Sequence, residues 1–191
     1  MAERISDVLN PYWASAPFFF LVAADSSTNI AKGFLYWLIC ALFFSVLPMW
    51  DINRRIRRGL VADMHISRRE DRIRPFLFAL GCAVCGLAAI YIANAPAPIK
   101  AVSWMVVLTG AVITALTAVW KVSLHAAGVS AISIALIALY GLLALPILLL
   151  IPLVFWARLT LKKHSPAQLV AGSLIAAGIA AAVFWHFGFW S

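Results

Sequence analysis

Apolar and polar positions fall along this chain in long blocks rather than alternating residue by residue. A helix needs about 20 apolar residues to cross the hydrocarbon core of a bilayer. Residues 30–50, 75–94, 101–120 and 166–185 each supply such a run. The run at 126–157 is too long for one helix and short for two, and Gly141, Pro146 and Pro152 interrupt it. Its pattern predicts two short helices turning near Tyr140-Gly141-Leu142. Pro75 suits the start of its helix, and Ala95-Pro96-Ala97-Pro98 reads as a tight extended turn between spans. Residues 1–29 are shorter runs with aromatic residues, Tyr12, Trp13 and Phe18 to Phe20, that suit the headgroup zone. The predicted fold is therefore an all-α integral membrane protein: an interfacial segment at 1–29, then a six-helix transmembrane bundle over 30–191.

Composition agrees with lipid as the solvent. Of 191 residues 64% are hydrophobic and only 12% charged, against about 45–50% and about 25% in soluble domains. No polar surface of that size covers a water-soluble globule, and the length leaves no room for a separate soluble domain. Cleavage of a secretory signal after Val22-Ala23-Ala24 is disfavoured by Glu3, Asp7, Pro11 and Pro17 before it. Cys40, Cys82 and Cys85 all lie in apolar runs; Cys82-Ala-Val-Cys85 has metal or redox spacing but no second pair, so it reads as packing.

Charge adds a direction. With six spans, the polar stretches 51–74, 121–125 and 158–165 fall on one side. They carry Arg54, Arg55, Arg57, Arg58, Arg68, Arg69, Arg72, Arg74, Lys121, Arg158, Lys162 and Lys163, which is 12 of the 15 basic residues. Arg4, Lys32 and Lys100 go to the other side. The positive-inside tendency places the basic face in the cytoplasm of a multi-pass cell or inner membrane protein, with both termini outside. Arg54, Arg55, Arg57 and Arg58 read as topology anchors or contacts to anionic lipid heads. The aromatic residues lie in the spans, which sets nucleic acid aside as a partner.

Those three polar stretches also bring cations together with histidines and hydroxyls. They are Arg68-Arg69-Glu70-Asp71-Arg72-Ile73-Arg74-Pro75, Lys121-Val122-Ser123-Leu124-His125 and Arg158-Leu159-Thr160-Leu161-Lys162-Lys163-His164-Ser165-Pro166-Ala167-Gln168. Guanidinium forks bind phosphate oxygens two at a time and neutralise charge that builds during phosphoryl transfer. Two histidines can divide the work, one attacking phosphorus and one protonating the leaving oxygen. Ser165 as N-cap and Pro166 as first helical residue aim a helix N-terminus at the same region. His65 reads as a loop histidine and His186 as an interfacial one, with no companions that suggest a metal.

The layout resembles the type-2 phosphatidic-acid phosphatase superfamily, which includes lipid phosphate and polyprenyl diphosphate phosphatases. That family's third motif, Ser-Arg, five residues, His, three residues, Asp, stands here as Ala157-Arg158, five residues, His164, three residues, Gln168. Its second motif, Pro-Ser-Gly-His, stands as Val122-Ser123-Leu124-His125. Its first, Lys, six residues, Arg-Pro, stands as Ser67, six residues, Arg74-Pro75.

The resemblance implies a metal-independent hydrolase, without cofactor, acting on a lipid phosphate or diphosphate, with a polyprenyl or isoprenoid phosphate as the favoured class. His164 would be the nucleophile and His125 the acid. Arg158, Ser123 and Arg74 would hold phosphate oxygens, with Arg68, Arg69 or Arg72 replacing the missing lysine and Lys121 assisting. Gln168 stands where the family has the carboxylate that orients the nucleophile. A glutamine carbonyl can fix a tautomer but brings no charge, and Glu70 or Asp71 is an alternative source of it. Gln168 equally fits a capping box with Ser165. The rival readings are a catalytically silent member of the same fold that binds or translocates a phospholipid, and a small transporter or assembly subunit using the arginine-rich loop.

Overall fold

The computed structural model describes residues 1–64, 66 and 68–190. His65 and Ser67, the latter aligned with the first-motif lysine, lie outside the described residues. The described residues form helices and no strands: α1 (Ala2–Val8), α2 (Pro11–Ser26), α3 (Ile30–Ala41), α4 (Leu47–Arg57), α5 (Ile73–Ile92), α6 (Ala97–Val119), α7 (Leu124–Tyr140), α8 (Leu150–Thr160) and α9 (Pro166–His186). Five helical stretches among the described residues are long and apolar enough to cross a bilayer: Ile30–Arg57, Ile73–Ile92, Ala97–Val119, Leu124–Thr160 and Pro166–His186.

Six were expected, and the difference lies in 124–160, which counts as one continuous helical stretch. The expected break is present at Gly141, whose φ of 64° only a glycine adopts without strain. The chain does not leave the helical regime there, however. A 3-10 segment, Gly141–Leu149, joins α7 directly to α8, since Pro146 lacks the donor an α-helix would need. Leu142 and Leu143 in it are 81% and 90% exposed, as suits side chains of a segment that meets lipid.

The chain divides into two compact units, one of residues 1–14 and 122–191, the other of 15–121. The expected 1–29 segment is thus shared between them. In the second unit α2 pairs with α3: the Trp37 Nε1–H donates to the Ala16 carbonyl at 3.1 Å, and a Cβ on Gly33 would meet the Ala23 oxygen at 3.1 Å. Phe18 and Phe19 are buried, and Phe19 stacks at 5.1 Å on Phe44. Asn29 starts α3 by accepting from the Ala31 and Lys32 amides at 2.8 and 3.3 Å. Between α3 and α4 the helix widens to a π-turn, Leu42–Val46, just ahead of Pro48, a place where such bulges absorb the missing donor. α5 then closes on this turn, with Gly86 so near that a Cβ would sit 2.7 Å from the Phe43 Cβ.

Charge separates along this unit. Arg54 and Arg55 clamp the buried Asp51 at 3.0 and 2.5 Å, which lets α4 run seven residues past the predicted end at 50, to Arg57. Arg69, expected as a phosphate ligand, instead caps α6: its Nη1 donates to the Ala118 and Val119 carbonyls at 3.2 and 2.8 Å. At the far end Lys100 lies 5.1 Å over the Tyr91 ring and Trp104 Nε1 donates to the Tyr91 hydroxyl at 3.0 Å, an aromatic anchor of the interfacial kind. Asp51→Asn is expected to destabilise the protein by about 1 kcal/mol, because the half-buried Arg54 and Arg55 lose the counter-charge of the buried carboxylate; thermal unfolding in detergent measures it, and an unchanged midpoint would contradict the clamp.

Candidate active site

The first unit is built on α7 and α9, which run parallel with their starts together. The Ser123 amide donates to the Gln168 carbonyl at 3.3 Å. Gly172 allows this approach: a Cβ there would stand 2.7 Å from the Ser123 oxygen and 3.2 Å from Val122 Cγ1. Gly172, Ala176 and Ala180, four residues apart, are the buried face of α9, the small-residue spacing that lets membrane helices touch.

Each predicted residue of this unit sits at that same end. Ser123 is fully buried and caps α7, its Oγ accepting from the Ala126 amide at 3.3 Å. His125 follows in the first turn of α7 and is buried; Arg158, in the last turn of α8, is 1% exposed. The two meet on a residue that the sequence did not point to. His125 Nε2 lies 3.0 Å from the Ser6 carbonyl, and because a carbonyl only accepts, Nε2 carries the hydrogen. Arg158 Nη1 donates to the Ser6 Oγ at 2.6 Å. Since His125 and Arg158 share this partner, the stretch 124–160 doubles back, returning α8 to the end where α7 begins. The limbs are about 25 Å for α7 and about 34 Å for the 3-10 segment plus α8, at 1.5 and 2.0 Å per residue.

His164 owes its place to the turn that ends α8. The Lys163 amide donates to the Arg158 carbonyl at 3.1 Å and the Lys162 amide to that of Leu159 at 2.9 Å. With Lys162 at φ 52°, this is the paired bond pattern of a Schellman turn, made here without its usual glycine. It reverses the chain within four residues and leaves His164 buried, 7% exposed, between Lys163 and exposed Ser165.

Gln168 closes a full capping box. Its Oε1 accepts from the Ser165 amide at 3.1 Å and its own amide donates to the Ser165 Oγ at 3.4 Å. Of the two roles open to it, capping is the one its bonds describe. Gln168→Ala is expected to cost about 1 kcal/mol of stability, as cap losses do, read as a lowered unfolding midpoint in detergent.

The remaining predicted residues belong to the other unit. Arg72 is 3% exposed, with its Nε donating to the Ile66 carbonyl at 2.8 Å and its guanidinium 5.9 Å over the Phe76 ring; Arg74 is exposed, and Lys121 is half-buried. Among the described residues no three of His, Cys, Asp and Glu are grouped to hold a metal ion.

Ser6 brings α1 with it, and this corrects the expected sidedness of Arg4. Arg4 lies two residues from Ser6 in a seven-residue helix, so it shares the His125–Arg158 end of its unit rather than the opposite one. Nothing local marks Ser6; its partners are 119 and 152 residues away. The one available hint is that Ala2 and Ser6, a helical turn apart, are small residues on one face of α1. No family model, curated protein or solved structure matches this chain.

Proposed function

We propose that this chain is a membrane-embedded hydrolase of lipid phosphates or diphosphates, of the type-2 phosphatidic-acid phosphatase kind, with a polyprenyl or isoprenoid phosphate as its favoured substrate. The observation that carries the reading is the meeting of Arg158 and His125 on one residue, beside Ser123 and the turn that bears His164. These are the residues on which the second and third motifs were read. A buried guanidinium at a membrane surface is costly to keep unless an anion or dense hydrogen bonding repays its lost hydration.

In this reading the folded-back stretch 124–160 makes two passes, and the basic end faces the cytoplasm with α1 on that side. His164 attacks phosphorus with a ring-nitrogen lone pair, and the bond from phosphorus to the lipid oxygen breaks. His125 delivers a proton to that oxygen, so the lipid leaves as a neutral alcohol, or as a monophosphate from a diphosphate. Arg158 and Ser123 hold the equatorial oxygens, where charge is greatest. Water then attacks the phosphohistidine, gives a proton to His125 and releases inorganic phosphate, which restores both rings.

Quenching turnover of a lipid phosphate labelled in its phosphate group tests this. An alkali-stable, acid-labile phosphate on residue 164 is the expected result. Tight binding of the lipid with no covalent phosphate and no release would instead favour a silent phospholipid-binding protein, a role that Gln168, neutral and committed to capping, also suits.

A further inference from the structure

The two donors best placed to hold phosphate in the first unit are both occupied by one residue of α1. Ser6 offers its hydroxyl to Arg158 and its carbonyl to His125. Both acceptors are neutral oxygens, which phosphate oxygens outcompete for a guanidinium because charge-assisted forked bonds are about twice as strong. Ser6 therefore stands in the position of a substrate oxygen rather than beside it.

The rest of α1 buries little apolar surface. Only Ala2 and Ser6 are buried in it, and Val8 at its end is 71% exposed. Two small side chains bury little apolar area, so polar bonds, those of Ser6 among them, carry much of the docking. The joint behind α1 is short and well defined. Asn10 closes α1, its amide donating to the Asp7 carbonyl at 3.2 Å, and opens α2, its Oδ1 accepting from the Tyr12 amide at 3.1 Å. Residues 9 and 10 thus separate a helix seated mainly by polar bonds from a firmly capped one, which is where a hinge belongs. His125, Arg158 and His164 are each 7% exposed or less with α1 seated, so a phosphate group reaches them when α1 has moved.

We infer that α1 is a latch: Ser6 fastens it to Arg158 and His125, and a phosphate group opens it by taking those two donors. The inference rests on the proposed phosphatase reading and adds its regulation: substrate must displace a built-in competitor, and anything that lifts α1 activates the site.

The test uses the whole 191-residue chain in detergent with inorganic phosphate as probe. Ser6→Ala removes the competing hydroxyl, and its affinity for phosphate by calorimetry is expected to rise about tenfold, the factor that one hydrogen bond to a charged group commonly carries. Ser6→Asp puts a carboxylate on Arg158 and is expected to abolish phosphate binding. Opposite shifts in the two variants exclude a common folding defect. A third arm replaces Cys40, Cys82 and Cys85 by alanine and introduces Ser6→Cys. Maleimide labelling at position 6 is expected to accelerate severalfold in saturating phosphate.

Equal or weaker affinity in Ser6→Ala, or labelling indifferent to phosphate while phosphate binds, overturns the latch and leaves the phosphatase reading standing. If neither the wild-type protein nor Ser6→Ala binds phosphate, and neither releases it from a lipid phosphate, the phosphatase reading falls and the latch falls with it.

Discussion

Protein carrying His164→Ala is expected to release phosphate from a lipid phosphate at least about 1,000-fold more slowly than the unaltered chain, and to retain no label after quenching. Removing the nucleophile of a covalent mechanism takes away a route and not merely a contact, which is why such losses exceed those of binding residues. The variant should still fold, since the turn that places residue 164 is made by the backbone of Arg158, Leu159, Lys162 and Lys163 and needs no imidazole. It should also still bind phosphate, because Arg158 and Ser123 remain. This separates a chemical role from a structural one. A parallel fall in affinity and thermal stability would mean that His164 packs the end of α8 and does no chemistry; equal rates in both proteins would remove the phosphohistidine from the mechanism.

Gly172→Ala is the substitution expected to harm stability most for its size. The added carbon would lie 2.7 Å from the Ser123 oxygen, 3.2 Å from Val122 Cγ1 and 3.6 Å from the Ala127 nitrogen. The first and last of these are backbone atoms and cannot turn aside, so α9 has to shift from α7. Overpacking of this kind costs about 1–3 kcal/mol, and here the upper half of that range applies because the obstacle is rigid. The shift also stretches the bond from the Ser123 amide to the Gln168 carbonyl, so lipid phosphate hydrolysis should drop together with the melting temperature in detergent. Gly178→Ala, on the same helix with nothing within 4 Å of its added carbon, serves as the control and should leave both unchanged.

The spans were legible because lipid imposes a length on them. Predicted runs at 75–94, 101–120 and 166–185 correspond to α5, α6 and α9 within a few residues, and Ser165 and Pro166 mark the start of α9 as read. The first span ran on to Arg57 because Asp51 neutralises two arginines within its own helix, an internal pairing that a count of charges treats as a boundary. Gly141 was recognised as a break, yet whether a glycine opens a loop or a 3-10 segment depends on what the following leucines face.

The candidate site was legible in its residues and not in its construction. Local spacing showed His125, Arg158, His164 and the capping box. It could not show Ser6, because a hydroxyl that serves partners more than a hundred residues away leaves no periodic trace. Nor could it show Arg69 closing the end of α6, since an arginine among seven others in one loop reads only as charge. Ser123 was expected as a phosphate ligand from the family resemblance, and it caps α7, a role its position before the helix would have allowed.

The widened turn at Leu42–Val46 has a consequence for how the first long helix is counted. A π-turn spends more residues per revolution, so everything beyond Val46 is rotated backward by roughly 90° relative to an unbroken α-helix. That offset brings Pro48, Met49 and Ile52 into line with Gly33, Tyr36 and Cys40, the inward row of α3, and with Phe44 of the π-turn. The two halves obey separate helical wheels, and a single wheel drawn through 30–57 would turn Met49 out toward the bilayer. Chimeras, cross-links or cysteine scans laid out on this helix have to restart their phase at the bulge.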